Sequence, residues 1–196
     1  LATDGDADRI GAIDNHGNLV DPHHIMALAL RHLVEKRGQR GDVVKTVSTT
    51  LMLNTMCDAY GLTLHETPVG FNHIADLMMT NDVLIGGEES GGISIRGHIP
   101  EGDGILMGLL LLEIMAEAGA PLSEIIRDLQ MTFGPAHYAR NDVHLTQQLP
   151  KKDVVRQLSE NAPDRINGER VMKVSTLDGV KYYMADQGWL LIRPSG

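Results

Sequence analysis

Between residues 20 and 133 the apolar positions alternate between a three-to-four-residue recurrence and short continuous runs, the pattern of helices interleaved with strands. Ile25, Leu28, Ala29, His32 and Leu33 recur at helical spacing behind Asp21-Pro22, where Asp suits the cap and Pro the first turn, and Gly38 supplies a stop. The β-branched run Val43 to Val47 predicts a strand. A second helix, capped by Thr49 or Thr50, runs through Met56 to Tyr60 and ends at Gly61. Short strands follow at Leu62 to Glu66 and Val83 to Ile85, with a helix near His73 to Met79 between them. Two more helices are expected, one from about Gly104 to Ala118 and one from Ser123 to Met131. Such alternation predicts an α/β fold: a parallel or mixed sheet flanked by helices on both faces.

Beyond Phe133-Gly134-Pro135 the pattern changes. Tyr138 to Leu145 reads as a strand and Asp153 to Leu158 as a helix. Val171 to Thr176 and Val180 to Met184 read as a hairpin around Leu177-Asp178-Gly179, and Gly188 to Ile192 as a last strand. This tail predicts a truncated α+β domain. Charge divides at the same place: residues 1–133 hold 8 basic and 19 acidic side chains, a net of −11, whereas 134–196 hold 9 and 7, a net of +2.

The whole chain of 196 residues carries a formal charge of −9. An acidic chain with scattered basic residues is poorly suited to nucleic acid, whose phosphates need a cationic face. No membrane span is expected, because the longest apolar stretch, Ile105 to Met115, is broken by Gly108 and Glu113. The single cysteine, Cys57, cannot form an internal disulfide and suggests a reducing, cytoplasmic location. Cys57 shares a helix face with Leu53 and Tyr60, which favours core packing. His16, His23, His24, His32 and His65 lack metal-type spacing and read as surface or half-buried residues, while His73 and His98 lie near glycine-rich loops. The chain opens on Leu-Ala-Thr-Asp and closes on Arg-Pro-Ser-Gly, ends that read as cut from something longer.

Four segments carry chemistry. In Asp4-Gly5-Asp6-Ala7-Asp8-Arg9 three carboxylates repel one another unless a hard divalent cation such as Mg2+ takes their oxygens; a solvated acidic turn is the plain alternative. An EF-hand is excluded, since its sixth and twelfth loop positions would be Arg9 and Asn15 rather than Gly and Glu. Arg9 beside a cation suggests a shared anion, naturally a phosphate. Gly86-Gly87-Glu88-Glu89-Ser90-Gly91-Gly92 follows an apolar strand, so its loop lies where ligands bind in open parallel sheets, with Glu88 and Ser90 offered to hydroxyls; a flexible glycine turn is the alternative. Thr67-Pro68-Val69-Gly70-Phe71-Asn72-His73 is a third post-strand loop, and Arg193-Pro194-Ser195-Gly196 makes an anion cradle.

Taken in this order, these segments resemble the α-D-phosphohexomutase superfamily, the phosphoglucomutase/phosphomannomutase family, across essentially the whole chain. The resemblance implies a four-domain enzyme in which a phosphoserine of the first domain phosphorylates a hexose phosphate. The resulting hexose bisphosphate reorients and returns a phosphoryl group, moving phosphate between C1 and C6. It implies that Asp4, Asp6 and Asp8 hold Mg2+ with the phosphoserine, and that Arg9 acts at the transferring phosphate. Thr67, Gly70, Glu88 and Ser90 would bind the sugar, and Arg193, Ser195 and Gly196 the non-reacting phosphate. Residues 1–15 would then end domain two, 16–133 form domain three, and 134–196 begin domain four. Domains one and two would be the missing partners, and the chain alone would not turn over. Departures stand at Asn72, where many relatives carry a basic residue, at Gly92, often His, and at Gly102, often Arg or Lys; His73 is not assigned as a substitute acid/base. Two rivals remain: an Asp-nucleophile phosphatase built on Asp4-x-Asp6, and a non-catalytic sugar-phosphate binding module.

Overall fold

The computed structural model describes residues 1–145 and 149–194. They form two compact units, 1–138 and 139–196. The first opens with a three-stranded antiparallel meander, β1 (Ala2–Thr3), β2 (Ile10–Ile13) and β3 (Leu19–Val20). Helix α1 (Pro22–Arg31) follows, and its end widens into a π-helical turn, His32–Lys36. Asp21 caps α1 by accepting from the His24 N–H at 2.9 Å, with Pro22 in the first turn, as the sequence predicts.

Strand β4 (Asp42–Thr46), α2 (Met52–Tyr60), β5 (Leu64–Thr67), α3 (Phe71–Thr80) and β6 (Val83–Gly87) wind the central sheet, and β7 (Ile93–Ile95) turns back along its edge. The order is β5-β4-β6-β7, with the first three parallel and β7 antiparallel to β6. On one face Ile74 of α3, with Phe71, Leu77 and Met78, packs against Val44 and Val83. The larger core joins Val43, Leu84 and Ile85 of the sheet to α1, α2, α4 (Gly104–Ala118) and α5 (Leu122–Phe133). Side chains alternate across a strand, so adjacent Val43 and Val44 serve opposite cores. Each fully buried Leu or Ile, such as Leu28, Leu84 or Leu111, contributes about 1.5–3 kcal/mol of transfer free energy.

The second unit contains α6 (Lys151–Glu160) and an antiparallel sheet of order β11-β10-β9-β8, made by β8 (Arg165–Ile166), β9 (Glu169–Ser175), β10 (Val180–Met184) and β11 (Trp189–Ile192). Tyr182 is buried and its hydroxyl donates to the Leu158 carbonyl at 2.8 Å, fastening sheet to helix.

Three expectations need correction. Residues 138–145 form no strand, and among the described residues no sheet includes them; instead the Tyr138 ring packs edge-on against His23, centroids 4.3 Å apart. Helix α2 starts at Met52 behind an uncapped Leu51, not directly after a capping Thr49 or Thr50. Thr49 Oγ1 bonds Thr46 Oγ1 instead, while Thr50 Oγ1 accepts from the Met52 N–H at 3.1 Å. Finally, His23, His24 and His32 are buried, not half-exposed, because packing encloses α1 on every side from His23 to Leu30. His24 lies between Asp21 and Gln130, and His32 Nε2 is 3.0 Å from Glu113.

Candidate functional site

The loops after β4, β5 and β6 emerge together at the carboxyl ends of the parallel strands, where open α/β sheets place their ligands. The loop after β6 is closed on itself: the Glu88 N–H donates to the Gly92 carbonyl at 3.0 Å and the Gly91 N–H to that of Glu88 at 3.1 Å. Within it Ser90 Oγ donates to Glu88 Oε1 at 2.6 Å, while Glu88 Oε2 is buried without a hydrogen-bond partner. A buried carboxylate oxygen without a donor is costly, and this one keeps its accepting capacity unused within the protein.

The aspartate loop follows β1 and turns tightly, with Ala7 in the left-handed region at φ 61° and its N–H on the Asp4 carbonyl at 3.3 Å. Carboxylate oxygens of Asp4, Asp6 and Asp8 lie within 4.8 Å of one another. Arg9 Nε donates to Asp4 Oδ2 at 2.5 Å and lies 3.6 Å from Asp8. Desolvation opposes the charged form of Asp4, but the hydrogen bonds and charge of Arg9 prevail and hold its carboxyl below the usual range. Asp8 goes the other way, raised by desolvation and then by repulsion from Asp6 and Asp4. Asp8 Oδ1 is buried and accepts no hydrogen bond, its ion pair with Arg9 Nε being the 3.6 Å contact. Crowded, oxygen-only and under-satisfied, the three carboxylates fit a hard divalent cation.

The two loops are one assembly. Arg9 and Gly92 form an isolated antiparallel bridge, and the Ile10 N–H donates to the Gly91 carbonyl at 3.1 Å. The Gly104 N–H, at the start of α4, holds the Ala7 carbonyl at 2.8 Å. Gly102 shows how close this packing is: a Cβ there would lie 2.6 Å from the Asp8 carbonyl oxygen and 3.0 Å from Gly92 Cα. The absence of a side chain at Gly102 therefore lets the aspartate loop settle against the glycine loop.

The remaining expected residues fall less centrally. Thr67 is buried and its hydroxyl donates to the Pro68 carbonyl at 3.0 Å, so it shapes its loop from within. Gly70, at φ 131°, precedes α3, with Asn72 exposed and His73 half-buried just beyond. His98 pairs with Asp103 at 2.8 Å, and Asp103 caps α4 by accepting from the Leu106 N–H. In the second unit Arg193 Nε donates to Asp178 at 2.8 Å; Ser195 and Gly196 lie outside the described residues.

Sequence reading missed the loop after β4. Lys45 is fully buried and donates to the Thr50 carbonyl at 2.9 Å and to Asn54 Oδ1 at 2.7 Å. Thr46 and Ser48 hydroxyls both donate to Glu89 Oε2. A lysine inside an apolar strand, followed by the hydroxyl run Ser48-Thr49-Thr50, was the available signal.

Fold and site define an α/β domain in which an acidic, oxygen-only loop is bonded to a carboxylate–hydroxyl loop at the sheet's carboxyl ends. Residues 21–133 match the family described as phosphoglucomutase/phosphomannomutase, alpha/beta/alpha domain III, and the chain belongs to that family. Among its relatives is a phosphoglucosamine mutase of Exiguobacterium sp., 33% identical over 100% of this chain and 39% of its own length. A Thermus thermophilus protein provisionally named a phosphomannomutase superposes with a TM-score of 0.79 at 34% identity, over 98% of this chain and 39% of that one. The Aspergillus fumigatus N-acetylphosphoglucosamine mutase, solved with GlcNAc-6P and magnesium, shares the fold at TM-score 0.53 and 20% identity, over 66% of this chain and 34% of that one. The chain thus spans about two-fifths of the length of the first two relatives.

Proposed function

We propose that the protein carrying this chain is a Mg2+-dependent phosphohexomutase, interconverting the 1- and 6-phosphates of a hexose or hexosamine through a bisphosphate. One observation carries the reading: Asp8 Oδ1 and Glu88 Oε2, buried oxygens that accept no hydrogen bond, lie on two loops joined by the Arg9–Gly92 bridge. One awaits a cation and the other a hydroxyl, the two things a sugar-phosphate site must engage. Asp4, Asp6 and Asp8 would hold Mg2+, which when bound neutralises charge on the transferring phosphoryl group. Arg9, beside that cluster, supplies a guanidinium to the same phosphate. Glu88 accepts from a sugar hydroxyl, and Ser90 orients it. Arg193, Ser195 and Gly196 would take the non-reacting phosphate. The name of the Exiguobacterium relative supports hexosamine phosphates as substrates beside glucose and mannose phosphates.

Calorimetric titration of the chain with glucose 1,6-bisphosphate tests this. Binding strengthened by Mg2+ is expected. Equal binding with and without Mg2+ would leave a sugar-phosphate module, and a chain that takes up no Mg2+ would overturn the reading. A phosphatase route through Asp4 is weaker, because Arg9 already occupies Asp4 Oδ2; an acid-stable trapped aspartyl-phosphate would revive it.

A further inference from the structure

Three consecutive residues of the glycine-rich loop divide their work. Glu88 and Ser90 bond to each other at 2.6 Å on one side. Glu89, between them, places its carboxylate against β4 and the turn that follows it. There Ser48 Oγ and Thr46 Oγ1 both donate to Glu89 Oε2, the latter at 3.2 Å. The donors are themselves held: Thr46 Oγ1 bonds Thr49 Oγ1 at 2.9 Å and lies 3.1 Å from Ser48 Oγ. Below them Lys45 Nζ fixes the backbone of the same turn through the Thr50 carbonyl at 2.9 Å. The Thr50 N–H in turn donates to His23 Nδ1 at 3.2 Å, tying the turn to α1. All these anchoring side chains of β4, its turn and α1 are buried.

Backbone hydrogen bonds from Glu88 to Gly92 and from Gly91 to Glu88 close the tip of the loop but leave its side chains to be directed by other contacts. Gly91 and Gly92 are held by backbone bonds to the aspartate loop, but Ser90 is exposed and residues 88–90 form no strand. We propose that Glu89 is a positioning residue: pegged to Ser48 and Thr46, it sets the rotation of the loop so that Glu88 and Ser90 face the sugar. Resting on the mutase reading, this deepens it by assigning hexose affinity to a contact between two loops rather than to the sugar-facing pair alone. A fixed loop has no ordering entropy to lose on binding, so removing the peg weakens affinity while the groups touching the sugar stay in place. Glutamine can replace it, since an amide oxygen in the place of Oε2 still accepts from both Ser48 and Thr46.

The test uses the whole chain with wild type, Glu89→Ala, Glu89→Gln and Ser48→Ala. Amide exchange without ligand reads loop order, and calorimetry with Mg2+ present reads glucose 6-phosphate affinity. In Glu89→Ala and Ser48→Ala, exchange at the Glu88 and Gly91 amides should accelerate about tenfold while β4 amides stay protected. Affinity for glucose 6-phosphate should fall about tenfold, with Mg2+ affinity unchanged, and Glu89→Gln should restore both readouts. Unaltered loop exchange in Glu89→Ala overturns the proposal, as does wild-type sugar affinity in that variant. Should the wild-type chain fail to bind the sugar phosphate at all, the mutase reading falls, and the exchange data still decide whether Glu89 orders the loop.

Discussion

Arg9 and Gly92 meet through their backbones in an isolated antiparallel bridge, and this contact sets the aspartate loop in register with the glycine-rich loop. Because the bridge is made of main-chain groups, it fixes the backbone positions from which the Asp8 and Glu88 side chains extend. Positioning that precedes ligand binding is the main service a protein gives to phosphoryl transfer.

The junction tolerates little at Gly91. Its φ of 103° is a glycine conformation, and a Cβ would lie 2.5 Å from the Ile10 carbonyl oxygen. Gly91→Ala is expected to destabilise the chain by about 1–3 kcal/mol, read from urea denaturation. An unchanged midpoint would show that the two loops are not packed as described.

Removing one aspartate should weaken cation binding without unfolding the chain. Asp8→Asn is expected to weaken Mg2+ binding at least about tenfold in calorimetry. Asp14→Asn is the control, because the Asp14 carboxylate serves the turn from 14 to 18, accepting from the His16 and Asn18 N–H groups at 2.8 Å each and from the Asn18 side chain at 3.0 Å. Equal losses in both variants would mean a diffuse acidic surface rather than a site.

Asp21 links the start of α1 to pH. Burial favours its neutral form, but the hydrogen bonds from His24 prevail and hold the carboxyl below its ordinary 3.8. A group depressed in the folded state stabilises above its unfolded pKa, and that stability is lost as pH falls through the folded value. Asp21→Ala should therefore cost about 1 kcal/mol at neutral pH, with the difference from wild type shrinking below pH 3.8. Parallel acid-denaturation curves of the two proteins would contradict this.

Cys57 should be silent until the chain opens. It is 1% exposed, and desolvation pushes its thiol up to about 12. Labelling by a thiol reagent at neutral pH is expected to run at least about a hundredfold slower in the native chain than in urea. Immediate labelling of the folded protein would contradict the packing around α2.

Much of the architecture was legible because its signals are local. Asp21-Pro22 announced α1, and the apolar run from Gly104 announced α4 with the boundaries the structure shows. Errors arose where a local signal met a distant partner. Tyr138 to Leu145 has strand composition, yet it joins no sheet among the described residues. Thr49, a plausible helix cap, is drawn to Thr46 instead. The histidines of α1 read as polar, yet helices from far along the chain enclose them: Glu113, 81 residues from His32, reaches its ring.

By itself the sequence determined which residue types were available for chemistry and where: three aspartates on alternate positions, a glycine-flanked carboxylate–hydroxyl pair, and the strands and helices that carry them. Periodicity and turn chemistry act over a few residues, so a linear reading reaches them. Only the tertiary structure decided that Arg9 bridges Gly92, that Gly102 must be small, and that Glu89 turns inward to Ser48, 41 residues away. Those relations depend on the sheet order β5-β4-β6-β7 bringing loop ends together. No local pattern encodes a contact whose free energy comes from packing two distant segments against one core.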